Sequence, residues 1–160
     1  MSVSEERTPL SVILIYASPA PCIGFMFFLV SMYLMKFSTD VLLIAPGVMG
    51  LIFGISRIWD GISDPLAGYF SDRTNTRFGR RRPWLLASLV PIVAVFLMVW
   101  SPPQTLTGNA LVVWMAVGVI GFYTAMTIFG VPHASLGAEL SMSYDDRNRV
   151  FGWRHICFMS

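Results

Sequence analysis

Charged and chemically reactive side chains are scarce in this sequence. Charged residues make up 12% of the 160 residues, about half the share that soluble globular domains carry. The only two cysteines, Cys22 and Cys157, lie in apolar stretches, so no disulfide framework is predicted. Hydrophobic residues make up 55% of the chain. This composition excludes an ordinary soluble domain and predicts an all-α integral membrane protein.

The sequence also lacks the short motifs of common enzymes. It contains no dinucleotide-binding fingerprint, P-loop, nucleophile elbow or His/Cys cluster with metal-ligand spacing. We therefore expect neither an enzyme nor a bound cofactor. The N-terminal residues Glu5, Glu6 and Arg7 are acidic on balance, which is not the pattern of a secretory signal peptide.

Four apolar segments are long enough to span a bilayer as helices, and a fifth segment follows them. The predicted helices cover residues 10–37, 46–70, 83–100, 110–140 and 150–160. Polar loops are predicted over 71–82 and 141–149. Pro19 and Pro21 should kink the first helix, and Pro132 should bend the fourth. The fifth segment is too short to span, so we expect the N-terminal part of a larger bundle, inactive by itself.

Basic residues indicate the orientation of the chain. The loop at 71–82 contains five of the eleven Lys/Arg residues: Arg73, Arg77, Arg80, Arg81 and Arg82. Lys36 is the only basic residue expected on the opposite side. Short loops rich in Lys and Arg are typically cytoplasmic, so the N-terminus is predicted to be cytoplasmic, in a cell (inner) membrane. A basic cluster can also contact nucleic acid or anionic lipid; here we expect lipid and no nucleic acid.

The second predicted helix carries three charges in its apolar stretch. Arg57, Asp60 and Asp64 are spaced i, i+3 and i+7, so they share one stripe of a helix. Each charge at membrane depth costs roughly 3 kcal/mol. One positive and two negative charges leave one negative charge, which a bound Na⁺ or H⁺ would neutralise. The alternative is a structural ion pair between Arg57 and one aspartate, but such a pair needs no second acid.

Glycines accompany the charges on this helix. Gly50, Gly54, Gly61 and Gly68 fall on the same stripe or beside it. Small residues let another helix approach closely. We therefore expect the charged face to be buried against protein or to line a cavity.

Two motifs follow one another in the string from Arg57 to Pro83, RIWDGISDPLAGYFSDRTNTRFGRRRP. The first is R-x-W-D-x-x-x-D-P, made by Arg57, Trp59, Asp60, Asp64 and Pro65. The second is made by Gly68, Asp72, Arg73, Gly79, Arg80 and Arg81. With these motifs the chain resembles the glycoside–pentoside–hexuronide:cation symporter family, the melibiose-permease-like branch of the major facilitator superfamily.

The resemblance implies a fold and a function. The family has twelve helices in two bundles and carries a small solute, typically a glycoside, together with Na⁺, H⁺ or Li⁺ by alternating access. Asp60 and Asp64 match its cation-binding positions, and Arg57 would be their charge partner. Arg154 matches an arginine that contacts sugar on the fifth helix; alternatively it only extends to the membrane surface.

The chain departs from the family at the sugar site. Melibiose-type members place sugar-binding acids at positions that match Gly24 and Gly130, and an aromatic platform at the position of Ala134. These positions stay substrate-binding candidates for a different solute. His133 is a candidate polar contact, or a histidine that only packs between helices. An amphiphile such as a lysolipid is therefore an alternative solute, and a small non-transporting membrane interaction protein is an alternative function.

The second motif implies gating. With this signature we expect Asp72 to cap or pair across the cytoplasmic ends of helices. The arginines are expected to pair with acids such as Glu139 or Asp146, which would stabilise one access state. The residues concerned here are Gly68, Asp72, Arg73, Gly79, Arg80 and Arg81. The alternative is that the arginines only fix the topology.

Overall fold

The computed structural model describes residues 9–77, 79–140 and 144–159. Within these ranges every regular element is an α-helix, which confirms the all-α prediction. The helices are α1 (Leu10–Ala17), α2 (Ala20–Asp40), α3 (Pro46–Arg73), α4 (Arg82–Trp100), α5 (Gly108–Leu140) and α6 (Tyr144–Met159).

The first predicted helix, 10–37, is divided into α1 and α2 at Ser18 and Pro19. Pro19 has no N–H to donate to the carbonyl of Ile15, and its ring clashes with a continuous helix. The Ser18 hydroxyl donates to that carbonyl instead, at 2.9 Å. The helix resumes with a hydrogen bond from the Ile23 N–H to the carbonyl of Pro19. The proline therefore breaks the helix, where only a kink was predicted.

α2 and α3 both continue beyond their predicted ends. α2 continues through residues 38–40, beyond the predicted end at 37, and two hydroxyl groups in its last turn donate to carbonyls one turn earlier. α3 begins at Pro46 as predicted but extends to Arg73. α4 begins at Arg82, so the loop predicted over 71–82 is shorter at both ends.

Pro132 lies inside α5 but does not end it. The helix runs without a break from Gly108 to Leu140, close to the predicted bounds of 110–140. A proline is tolerated inside a spanning helix where neighbouring groups satisfy the freed carbonyl.

α6 begins at Tyr144, inside the loop predicted over 141–149. The loop prediction is therefore wrong for 144–149; residues 141–143 lie outside the described ranges. The polarity that suggested a loop has another physical meaning. As a sequence pattern, acidic residues are typical of a helix start as well as of a loop, because negative charge is favourable near a helix N-terminus.

Within the described ranges, three helical stretches are long and apolar enough to cross a membrane. They are Leu10–Asp40, Arg82–Trp100 and Gly108–Leu140. α3 is long enough, with 28 residues, but its composition is not apolar enough for it to be counted with these three. Its passage through the membrane stays a prediction, whereas an integral membrane protein is supported by the other three.

The chain divides into two compact units. Unit 1 comprises the described residues up to Tyr33 and from Ala134 onwards, and unit 2 comprises Leu34–His133. In unit 1, α1 packs against α6. The core of that contact is made by Ile13, Tyr16 and Val150, with Leu136 and Leu140 packed against it. The Tyr16 phenol lies so close to Gly137 that a Cβ there would overlap it.

In unit 2, α4 and α5 form an antiparallel hairpin. The Trp114 indole donates to the carbonyl of Met98 near the hairpin turn. A Cβ on Gly118 would come within 2.8 Å of Val99 Cγ2, so the absence of a side chain permits this close approach. The hairpin provides the face of α5 against which α3 packs.

Candidate functional site

α3 packs beside α5 in unit 2, and the contacts fix their relative direction. The paired residues are Arg57 with Tyr123, Trp59 with Thr124, Asp64 with Thr127, and Gly68 with Val131. The contacted positions advance in the same direction along both helices. α3 and α5 therefore run parallel, and one continuous face of α5 meets the whole charged segment of α3.

Asp64 is held by a hydroxyl group and not by a positive charge. The Thr127 hydroxyl donates to Asp64 Oδ1 at 2.8 Å. Thr127 is buried, whereas Asp64 is exposed in the part of the chain that the structure describes. A neutral donor orients the carboxylate but leaves its negative charge uncompensated. Thr127 also lies beside Asp60, so its hydroxyl is near both acids.

Arg57 is shared between Asp60 and an aromatic ring. Its Nη1 lies 3.6 Å from Asp60 Oδ2, and its guanidinium lies 4.7 Å from the centre of the Tyr123 ring. Asp60 Oδ1 is buried and accepts no hydrogen bond from the described residues. The arginine therefore neutralises at most one of the two acids, and one carboxylate oxygen stays available for a further ligand.

Within the described residues, the buried small residues of α3 differ from the predicted glycines. A Cβ on Gly50, Gly54 or Gly61 would meet no atom of the described chain within 4 Å. The buried small residues of α3 are Ser56, Ser63, Ala67 and Ser71. Among the described residues the buried small residues of α3 are therefore serine and alanine, and the close approach expected at these three glycines stays a prediction.

The charged face is partly open. The Arg57 side chain is 57% exposed and the Asp60 side chain is 23% exposed. The prediction left open whether this face would be buried against protein or would line a cavity. Within the described residues Asp64 is exposed whereas Asp60 Oδ1 is buried, so the Asp64 carboxylate is the more accessible of the two.

Three residues of α5 take part in this site but were not predicted from the sequence. They are Tyr123, Thr124 and Thr127. A signal for them exists, because the two threonines are spaced i, i+3 within an apolar helix and so share one face. Their partners on α3 could not be read from the sequence, because a pairing between distant helices depends on the fold.

The second motif lies at the other end of α3. The Arg81 guanidinium donates to Asp72 Oδ1 at 3.1 Å. Arg73 lies over the Tyr69 ring, 4.2 Å from its centre. Gly79 has a φ of +96°, a conformation in which glycine is favoured.

Two further members of the motif make looser contacts. Gly68 faces Val131 at an ordinary contact distance, because a Cβ on Gly68 would lie 3.6 Å from Val131 Cγ1. Arg80 is exposed. The motif therefore combines an ion pair, a cation–π contact and a left-handed glycine in one short segment.

The four substrate-binding candidates are divided between the two units. Gly24 lies in unit 1 and is buried, and Arg154 lies on α6 in the same unit. In unit 2, a Cβ on Gly130 would meet no described atom within 4 Å, so a side chain would have room there. His133 is buried and stacks on Phe129, with 5.1 Å between the ring centres.

Comparison with known proteins decides the family. Residues 15–159 match the family model described as MFS/sugar transport protein. The chain belongs to this family. Membership confirms the predicted resemblance to the major facilitator superfamily. Because the family consists of transport proteins, it also agrees with the prediction that the chain is not an enzyme.

Individual relatives are symporters of different kinds. The chain is 32% identical over 127 residues to the inner membrane symporter YicJ of Escherichia coli, covering 79% of this chain and 27% of YicJ. It is 30% identical over 131 residues to the putative glycoside/cation symporter YagG of the same organism, covering 82% of this chain and 28% of YagG. It is 33% identical over 123 residues to the sodium-dependent lysophosphatidylcholine symporter 1 of Xenopus tropicalis, covering 76% of this chain and 23% of that symporter. The chain spans about a quarter of the length of these curated relatives.

Proposed function

We propose that the full natural protein is a secondary active transporter that carries a small solute together with Na⁺ or H⁺ by alternating access. Asp60 and Asp64 hold the coupling cation. The observation that carries this proposal is the unequal pairing of the two acids. Asp60 faces the Arg57 guanidinium, whereas Asp64 receives only the hydroxyl proton of Thr127.

The charge on the site favours a single monovalent cation. One arginine and two carboxylates leave one negative charge, and ionisable groups at membrane depth typically mark ion pathways. The available ligands are oxygen atoms of Asp64, Thr127 and Asp60, which suit a hard cation such as Na⁺. A proton would need only one carboxylate. Both ions fit the charge, and the choice between them is an experimental one.

The arrangement at the Arg-rich end supports a gating role. We assign this end and the N-terminus to the cytoplasmic side, because five arginines cluster there. The Asp72–Arg81 ion pair joins the end of α3 to the start of α4. In one access state this pair would hold the two helix ends together, and breaking it would accompany the transition. The alternative role of the arginines is topology alone.

A glycoside is the first candidate solute. It is supported by the family description and by the similarity to YagG, whose name includes glycoside/cation symport. The candidate contacts stay His133, Arg154, Gly24 and Gly130, and a side chain would have room at Gly130 among the described residues. A lysolipid is the second candidate, supported by the similarity to a lysophosphatidylcholine symporter and by glycines where melibiose-type members have acids.

Uptake by the full natural protein in liposomes tests the proposed mechanism. We expect uptake of a labelled solute to require an inward Na⁺ or proton gradient and to be lost in Asp60→Asn and in Asp64→Asn. Asp40→Asn is the matched control, because it makes the same chemical change at an exposed residue at the end of α2. Uptake that ignores both gradients and both substitutions would overturn the mechanism and leave Arg57 and Asp60 as a structural ion pair.

The solute is tested in the same liposomes. Labelled glycosides and labelled lysophosphatidylcholine are offered separately under the gradient that drives uptake. Accumulation of a glycoside alone supports the first candidate, and accumulation of lysophosphatidylcholine alone supports the second. If neither solute accumulates in wild-type liposomes, both candidate solutes are excluded.

A further inference from the structure

Trp59 makes a hydrogen bond from α3 to α5 beside the two acids. Its indole Nε1 donates to Thr124 Oγ1 at 2.8 Å. The Thr124 hydroxyl donates its own proton to the carbonyl of Ile120 at 2.7 Å. An indole N–H can only donate, and the Thr124 hydroxyl has already used its only proton. The direction of both bonds is therefore fixed, and α3 is tied through Thr124 to the backbone of α5.

Two of the other contacts described between these helices, Asp64 with Thr127 and Arg57 with Tyr123, involve a charged side chain. The Thr127 hydroxyl donates to the Asp64 carboxylate, and a cation or proton on that carboxylate weakens its acceptor strength. Arg57 is shared between Asp60 and Tyr123, and its position depends on the charge of Asp60. The Trp59–Thr124 bond joins two neutral groups, so filling the site does not change the charge of either partner.

We propose that the Trp59–Thr124 bond is a charge-independent pin that keeps α3 in register with α5 while the coupling cation binds and leaves. Trp59 and Thr124 are then positioning residues, and this role rests on the cation site proposed above. A slip of one residue moves a side chain about 1.5 Å along a helix and about 100° around it. Such a slip would turn Asp64 away from Thr127.

Cation titration of the full natural protein in liposomes tests the pin. Trp59→Phe keeps an aromatic ring but removes the donor, and Thr124→Val keeps the shape but removes the acceptor. We expect either change to raise the half-saturating cation concentration about threefold to tenfold, the range for one neutral hydrogen bond. Dependence on the gradient should remain, because both acids are intact. Thr124→Ser is the matched control and should stay close to wild type.

The double variant distinguishes the loss of one shared hydrogen bond from two independent losses of packing, one at each residue. Trp59→Phe and Thr124→Val remove the same bond, so combining them should raise the half-saturating concentration no further than either does alone. Effects that multiply in the double variant would overturn the proposal. So would single variants whose half-saturating concentration equals that of wild type.

A second readout does not depend on transport. In this experiment Cys22 and Cys157 are first replaced by serine. Gly68→Cys and Val131→Cys then place two thiols on facing positions of α3 and α5. These positions face each other because a Cβ on Gly68 would lie 3.6 Å from Val131 Cγ1. Disulfide formation between them should slow by several-fold when Trp59→Phe is added. An unchanged rate would overturn the pin. Cation-driven uptake that persists in Asp64→Asn would contradict the proposed cation site. The rate of disulfide formation would still test whether the Trp59–Thr124 bond keeps α3 in register with α5.

Discussion

The charged residues in the middle of α3 and those at its end differ in their partners and in the sign of the net charge around them. In the middle, Asp64 and Asp60 face a second helix, α5, and one negative charge is left over. At the end, Asp72 pairs with Arg81 from the following loop at 3.1 Å. The surplus charge there is positive, because Arg77 and Arg80 lie in the same loop and Arg73 and Arg82 lie at the adjoining helix ends.

The two regions also differ in where their partners come from. The partners in the middle, Tyr123 and Thr127, lie more than sixty positions away in the sequence, so only the tertiary fold brings them to α3. The partners at the end, Tyr69 and Arg81, are local. A local ion pair can form as soon as the helix end forms. A site between distant helices can open and close when those helices move, which suits ligand binding.

The largest expected difference between the two regions is in cation dependence. Asp64→Asn should reduce gradient-driven uptake by the full protein to the level of empty liposomes, because the surplus negative charge is removed. Asp72→Asn makes the same chemical change at the other end of α3. It should alter the rate of uptake but leave the half-saturating cation concentration unchanged. Loss of cation dependence in both variants would contradict the separate roles.

A smaller effect is expected at the hydroxyl group that orients Asp64. Thr127→Val removes the donor while keeping the shape of the side chain. A hydrogen bond to a charged group contributes about 1.5–3 kcal/mol, so the half-saturating cation concentration should rise at least about tenfold. Titration of uptake against the cation measures this. Thr127→Ser should remain close to wild type; an equal loss in the serine variant would point to packing.

At the end of α3, a modest loss of stability is expected. Asp72 is 61% exposed although Arg81 is only 14% exposed, so solvent screens the pair from the side of the acid, and such a screened pair contributes less than about 1 kcal/mol. Asp72→Asn should therefore lower the free energy of unfolding by less than about 1 kcal/mol, measured by thermal unfolding in detergent. Asp40→Asn is the control for an exposed acid outside the motif. A clearly larger loss at Asp72 would mean that the pair supports more than the helix end.

The smallest effect is expected in the middle of α3 at Gly61. A Cβ there would meet no described atom within 4 Å, so Gly61→Ala should raise the free energy of unfolding by up to about 1 kcal/mol through helix propensity. Gly118→Ala is the matched opposite, because its Cβ would come within 2.8 Å of Val99. Thermal unfolding should separate the two by sign. A destabilising Gly61→Ala would indicate a packing partner beyond the described residues.

Much of the helical architecture could be predicted from composition and from prolines. The start of α3 at Pro46 and the long course of α5 follow from apolar segment length and from proline at a first turn. The loop predicted over 141–149 was wrong for 144–149. Polarity alone does not distinguish a loop from the acidic first turn of a helix.

The acids of the candidate site were visible in the sequence, whereas their partners were not. Arg57, Asp60 and Asp64 stand out because charges are expensive in an apolar helix. Thr124 and Thr127 do not stand out in this way, because a hydroxyl group in a spanning helix commonly bonds to its own backbone. Thr124 does so here, and it accepts from Trp59 as well.

The sequence by itself determined the membrane class, the family motifs and the surplus negative charge of α3, because these follow from residue type and from spacing along one helix. The tertiary structure decided that α3 and α5 run parallel and that Asp64 meets Thr127 while Asp60 meets Arg57. It also decided that, in the described chain, Gly68 faces Val131 and that serine and alanine are the buried small residues of α3. The physical reason is that periodicity fixes which side chains share a face, but only packing fixes which neighbour that face meets.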